Sequence, residues 1–192
     1  LYQLVEQHAY DPVYRGYVEA LAKEWTFLED VSLSGTDLNE RKSMNTHLHV
    51  LEAYTNLYRV WPDPGLQERL KELIDVMLVC VTNQETNHFH LFFGEDWQVK
   101  SNVISYGHDI EGSWLLYEAA EVLGDVELFV RVRVAALAMA EAVYMDALEP
   151  NGTLLYERDG EHIDREQHWW PLAEAMVGFY NAYELTGESR YG

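Results

Sequence analysis

The stretch HDIEGSWLLYEAAEVLGD (His108–Asp125) carries the architecture, because two other stretches repeat its pattern. HVLEAYTNLYRVWPDPG (His49–Gly65) and PLAEAMVGFYNAYELTGE (Pro171–Glu188) align with it. In each, a glutamate precedes an aromatic-rich helical pattern, and a glycine falls thirteen residues after that glutamate. The pairs are Glu52 with Gly65, Glu111 with Gly124, and Glu174 with Gly187; the glutamates lie 59 and 63 residues apart. A period of about 60 residues marks stacked supersecondary units, none of which buries its apolar face alone.

Each unit reads as a helix pair. LQERLKELIDVMLVCV after Gly65 and VELFVRVRVAALAMAEAVYM after Gly124 place apolar residues at helical spacing. Glycine and proline between the members are expected to stop the first helix. YDPVYRGYVEAL, NHFHLFFGEDWQ and GTLLYERDGEHI alternate like strands, and are expected as hairpin loops at one end of the helices.

Stacked helix pairs form either an open solenoid with polar faces or a closed α/α barrel with an apolar inner ring. The first helix of each unit is almost wholly apolar or aromatic, apart from His and Glu at its start. That pattern favours an inner ring whose functional mouth lies at the helix N-termini. The expected fold is therefore all-α: an (α/α)6 barrel, here a partial barrel with short β-hairpin loops. Residues 1–192 read as a single domain. The chain opens on Leu1 inside a helical pattern and stops at TGESRYG, so truncation at both ends is expected.

Composition excludes several classes of partner. The 192 residues are 48% apolar and hold 33 acidic against 13 basic side chains, a formal net charge of −20. Nucleic acid and anionic membranes are poor partners for such a surface, since both require clustered Lys or Arg. No apolar run of about 18 residues could span a bilayer. The single cysteine, Cys80, lies in the apolar run IDVMLVCV and reads as a core residue, so no disulfide framework exists. Aromatic plates are plentiful, with 13 Tyr, 6 Trp and 6 Phe.

The polar residues at the helix starts recur on one face. Asn45, His49 and Glu52 follow i, i+4, i+7 spacing; His108, Glu111 and Trp114 follow i, i+3, i+6; Trp170 and Glu174 are i, i+4. Taken singly, a His or Glu near a helix start is often a cap or dipole partner, and a Trp on an apolar face is usually core. Recurrence of one polar slot in successive units is harder to explain structurally, because burying unused charge costs stability. Metal binding is disfavoured. His47 and His49 point to different sides of a helix, and His88 and His90 share a strand face with no third ligand nearby. The last two read as loop histidines beside the mouth; His8 and His162 carry no pattern. Imidazoles act as acid and base near neutrality, indoles stack on sugar rings, and carboxylates with Asn bond hydroxyls. The set points to a neutral carbohydrate. Paired carboxylates alone would suggest a glycosidase; two histidines favour proton transfer at carbon.

KSMNTHLHVLEAYTNLYRVWPD (Lys42–Asp63), YGHDIEGSWLLYEAAEVLGD (Tyr106–Asp125) and HWWPLAEAMVGFYNAYELTG (His168–Gly187) closely resemble cellobiose 2-epimerases of the wider N-acylglucosamine 2-epimerase superfamily. YDPVYRGYVEALAKEW also resembles that family's loop before its sugar-facing helices. The resemblance implies an (α/α)6 barrel that epimerises the reducing-end glucose of β-1,4-linked disaccharides through a cis-enediolate, without metal or nucleotide cofactor. It implies conversion of cellobiose to 4-O-glucosyl-mannose and of lactose to epilactose. Carried over, His108 is an acid–base histidine, Glu111 supports it, and Trp114 lines the sugar site. His49 and Asn45 bind oxygens of the intermediate, with His47 the weaker claimant; Trp170 stacks on sugar and Glu174 holds hydroxyls. The family's second acid–base histidine would fall beyond Gly192, and its substrate arginine upstream of Leu1. A cytoplasmic monomer or weak dimer is expected. Rival readings are an N-acylglucosamine 2-epimerase, an aldose–ketose (mannose) isomerase, a non-catalytic glycan-binding helical repeat, and an inverting glycosidase on the same barrel.

Overall fold

The structure, a computed structural model, describes residues 1–32 and 38–192. Helix α1 (Tyr2–His8) leads into a loop-rich segment, followed by the repeated helix pairs. The first pair is α2 (Met44–Val60) and α3 (Pro64–Val76), which runs on into a π-helical turn, Met77–Val81. The second pair is α4 (Tyr106–Leu123) and α5 (Val126–Asp146); α6 (Trp169–Thr186) opens the third unit.

Local chemistry explains most boundaries. Ser43 caps α2 by accepting the Thr46 amide at 3.1 Å. Asp63 Oδ1 caps α3, accepting from Gly65 N at 2.9 Å and Leu66 N at 3.1 Å. Gly124 (φ 74°) and Gly187 (φ 73°) end α4 and α6 in the left-handed conformation that spares glycine a Cβ clash. Gly65 departs from this role. It lies in the first turn of α3, and the WPDP stretch ends α2 instead, because the residue before a proline avoids helical geometry.

Helix α4 is the pivot. It packs against α2 on one side, α6 on the other, and α3 and α5 behind, so the first helices of the units form a row backed by the second helices. Accordingly α4 is buried around most of its circumference, as an apolar sequence without a polar stripe requires. One core joins α2, α3 and α4 through Leu48, Leu51, Leu70, Ile74 and Leu116. A second joins α4, α5 and α6 through Ile110, Val143 and Phe179. At Gly178 a Cβ would lie 2.8 Å from the Ile110 carbonyl oxygen, so the backbones of α6 and α4 meet there.

Short strands gather at the N-terminal ends of the first helices. β1 (Lys42–Ser43) runs straight into α2 and pairs with β2 (Phe92–Phe93); β3 (Val103–Ser105) runs into α4 and pairs with β4 (Glu157–Asp159), which pairs with β5 (His162–Asp164). GTLLYERDGEHI makes the expected local hairpin, β4 with β5. NHFHLFFGEDWQ pairs its strand with the distant β1 and also folds back locally through a bridge from Phe93 to Val99, while YDPVYRGYVEAL is held by isolated bridges, Tyr10 to Tyr17 and Leu21 to Phe27.

Buried polar groups fasten these loops. Lys42 is fully buried; its ammonium donates to Asp11 Oδ2, Arg15 O and Glu95 O, each at 2.7 Å, and lies 4.7 Å from the Trp97 ring centre. His88, expected as a loop histidine beside the mouth, is instead buried between the helix layers. Its Nδ1 contacts Asp109 Oδ2 at 2.7 Å and its Nε2 contacts Asp146 Oδ2 at 3.1 Å. Burial opposes its charge, but the two carboxylates outweigh that and raise its pKa. Among the described residues no helix is long and apolar enough to cross a membrane.

Candidate active site

Because α2, α4 and α6 stand side by side with their N-termini at the strand end, the recurring polar slots converge. His108 lies in the first turn of α4, largely enclosed. The Trp170 ring from α6 sits 4.7 Å from it, inclined at 54°. Gly107 makes this approach possible, since a Cβ there would come within 2.6 Å of the Trp170 ring. Burial, helped by the nearby His49, lowers the His108 pKa to about 4. At neutral pH it is an uncharged imidazole.

Glu111, one turn along α4, behaves oppositely. Burial first, then the neighbouring Glu174 carboxylate, raises its pKa to about 7, so it carries a proton for much of the time near neutrality. His49 partly offsets this and Glu52 adds to it, which places groups from α2, α4 and α6 in one electrostatic neighbourhood. From α2, His49 is exposed and its Nδ1 lies 3.3 Å from Glu52 Oε2. Glu174 on α6 accepts the Trp114 indole N–H at 2.9 Å. Asn45 lines both of two adjoining cavities, one of about 730 Å³ along α1 and α2, the other of about 340 Å³ at His108. The opposite orientation of His47 and His49 follows the spacing. His47 is buried away from the mouth, its Nε2 accepting from Tyr17 N at 2.9 Å and its Nδ1 contacting Ser43 O at 2.6 Å.

Three residues of the smaller cavity went unnoticed in the sequence: Glu19, Ser105 and Glu157. Glu19 Oε2 accepts a hydrogen bond from the Ser43 hydroxyl, and Ser105 Oγ is 2.8 Å from His108 Nδ1. Strand pairing and a loop bring Glu157 and Glu19 there, beyond the reach of any spacing rule, whereas Ser105, three residues before His108, was within reach as the N-cap of α4. Among the described residues no group of three or more His, Cys, Asp or Glu side chains could hold a metal ion.

A row of helix pairs that brings imidazoles, carboxylates and indoles together at one end defines an α/α repeat protein. The profile of the N-acylglucosamine 2-epimerase (GlcNAc 2-epimerase) family matches residues 1–192, and the chain belongs to that family. The cellobiose 2-epimerase of Bacteroides fragilis is 46% identical over 190 residues, covering 98% of this chain and 48% of that protein. That of Ruminococcus albus is 36% identical over 191 residues, with 48% of its length covered. The structure of cellobiose 2-epimerase from Bacillus thermoamylovorans superimposes with a TM-score of 0.92 at 37% identity, covering 99% of this chain and 48% of that one. The chain thus spans about half the length of the curated relatives it matches. D-mannose isomerase, at 20% identity and a TM-score of 0.75, shares the fold.

Proposed function

We propose that this chain forms the sugar-handling mouth of a carbohydrate 2-epimerase acting on the reducing-end glucose of β-1,4-linked disaccharides such as cellobiose and lactose. The observation that carries the reading is an enclosed His108 lining a cavity together with Asn45 of α2, with Glu111 one turn along α4; burial, which disfavours charge on both groups, is consistent with it. The similarity to cellobiose 2-epimerases supports the substrate class. Two helix pairs and the first helix of a third, matched to 48% of a solved relative, support an (α/α)6 ring of which this arc is a part.

In the open-chain sugar, the C2 proton is acidified by the C1 carbonyl. The His108 imidazole takes that proton, and the C–H electron pair moves into the carbonyl to give a cis-enediolate and an imidazolium. A second acid returns a proton to the opposite face of C2, the electron pair re-forms the carbonyl, and C2 is inverted. Asn45 and His49, reaching in from α2, bind the oxygens of the intermediate. Protonated Glu111 donates a hydrogen bond that supports the developing charge. Trp170 stacks on the sugar, Trp114 lines the site, and Glu174 holds hydroxyls.

The test is incubation of the protein and its His108→Ala variant with cellobiose in deuterated water, read by NMR. Formation of 4-O-glucosyl-mannose carrying deuterium at C2, lost in the variant, is expected. A ketose product would favour an aldose–ketose isomerase, cleavage to monosaccharides a glycosidase, and sugar-dependent tryptophan fluorescence without conversion a glycan-binding module. Each of those outcomes sinks the epimerase reading.

A further inference from the structure

A serine at a helix N-cap ordinarily accepts the amide of the second or third helical residue. Ser43 does so for α2. Ser105 occupies the same place before α4 and makes no capping bond. Its hydroxyl lies 2.8 Å from the Nδ1 of His108, the very residue whose amide it would otherwise cap. The helix forgoes its capping bond for this contact. A local rule broken at one repeat and kept at another points to a task at the first.

Strand register adds a third group. Ser105 stands directly opposite Glu157 in the β3–β4 ladder. Opposed side chains share a face with Cβ atoms about 4.5–5.5 Å apart, and Ser105, Glu157 and His108 line the same cavity.

We propose that Glu157, Ser105 and His108 form a carboxylate–hydroxyl–imidazole chain once the Glu157 carboxylate turns across the ladder onto the Ser105 hydroxyl, and that this chain fixes the His108 tautomer, with Nδ1 protonated and Nε2 left as the free base. The hydroxyl has one proton. Donated to Glu157, it leaves only oxygen lone pairs facing the imidazole, and those accept only from a protonated Nδ1. The bond made by one ring nitrogen thus sets the state of the other. The Trp170 ring, 4.7 Å away, limits rotation of the imidazole that would exchange the two nitrogens. Ser105 and Glu157 are positioning residues: they act through His108. The inference rests on the reading of His108 as the base.

Long-range proton–nitrogen NMR of histidine-labelled protein at neutral pH tests it without substrate, the His108 signals being assigned from a His108→Asn variant. The expected pattern is an Nδ1–H tautomer in the wild type, a shift toward Nε2–H in both Ser105→Ala and Glu157→Gln, and retention in Ser105→Thr. On cellobiose, Ser105→Ala should lose about 10- to 100-fold in kcat, the range typical of groups that orient a reacting side chain, with KM little changed and Ser105→Thr restoring the rate. An Nε2–H tautomer in the wild type, or signals unmoved in the variants, overturns the proposal. If Ser105→Ala does not fold by circular dichroism, Glu157→Gln decides the matter alone. A protein that shows the tautomer pattern but epimerises nothing keeps this chain and loses the functional reading, so the two failures are told apart.

Discussion

The indole N–H of Trp114 on α4 donates to the Glu174 carboxylate on α6 at 2.9 Å, joining residues 60 apart in the chain. Both belong to the recurring slot of their unit, so the bond ties two repeats together at the mouth. It commits one carboxylate oxygen; in the proposed function the other holds a ligand hydroxyl.

Trp114→Phe keeps an aromatic surface and removes the donor. A hydrogen bond to a charged acceptor contributes about 1.5–3 kcal/mol. Disaccharide affinity is expected to fall about tenfold, equivalent to about 1.4 kcal/mol, with a modest loss in melting temperature. Calorimetric titration with cellobiose checks the first and a thermal melt the second; unchanged affinity would mean that Glu174 needs no such anchor.

Glu111 has its pKa raised from 4.5 to about 7, so the folded state holds its proton more tightly than the unfolded chain does. This group therefore costs stability increasingly as pH rises from about 4.5 to 7. Removing the titration by Glu111→Gln should stabilise the protein at pH above 7 by about 1–2 kcal/mol after discounting for partial exposure. Activity should fall at the same time. Urea denaturation at two pH values, one on each side of that window, measures the first effect. A variant equally stable or weaker at high pH would contradict it.

His47 and His108 both have pKa values lowered from 6.5 to about 4, chiefly by burial. The unfolded chain takes up their protons first, so stability is lost as pH falls from about 6.5 toward 4. His47→Gln should flatten this acid limb, since each tenfold difference in proton affinity between folded and unfolded chain is worth about 1.4 kcal/mol. Its stability at neutral pH should be lower, because the Tyr17 amide loses its imidazole acceptor. Chemical denaturation across that pH range gives the slope directly.

Lys42 and Asp11 form a buried ion pair at 2.7 Å, with the ammonium completed by two loop carbonyls. Removing one partner of such a pair typically costs about 3–5 kcal/mol, since the other charge is stranded. Lys42→Met should lower stability by that amount and loosen the loops around the mouth. Adding Asp11→Asn should recover part of the loss, and equilibrium unfolding of the single and double variants measures the coupling. Strict additivity would show that the two side chains act independently.

How far the sequence could be read depended on the range of the interaction. Helix pairs, their period, the glycine stops at Gly124 and Gly187, and the shared face of His108, Glu111 and Trp114 follow from spacing along one helix, because 3.6 residues per turn fixes which side chains are neighbours. The separation of His47 from His49 was legible for the same reason. Gly65 misled because Pro62 ends α2 first, by holding Trp61 out of helical geometry, and Pro64 then opens α3 ahead of the glycine.

The amino-acid sequence alone thus specified the helical units and which polar residues each presents at its start. The fold had to supply everything that joins one unit to another. Trp114 finding Glu174, Ser105 facing Glu157, and His88 caught between Asp109 and Asp146 all depend on strand register and on how helices from different units pack. The pKa values of His108 and Glu111 depend on the same packing, because burial and the charges of other helices set them. Periodicity is a property of local geometry, whereas desolvation and cross-unit contact exist only once the chain has closed on itself.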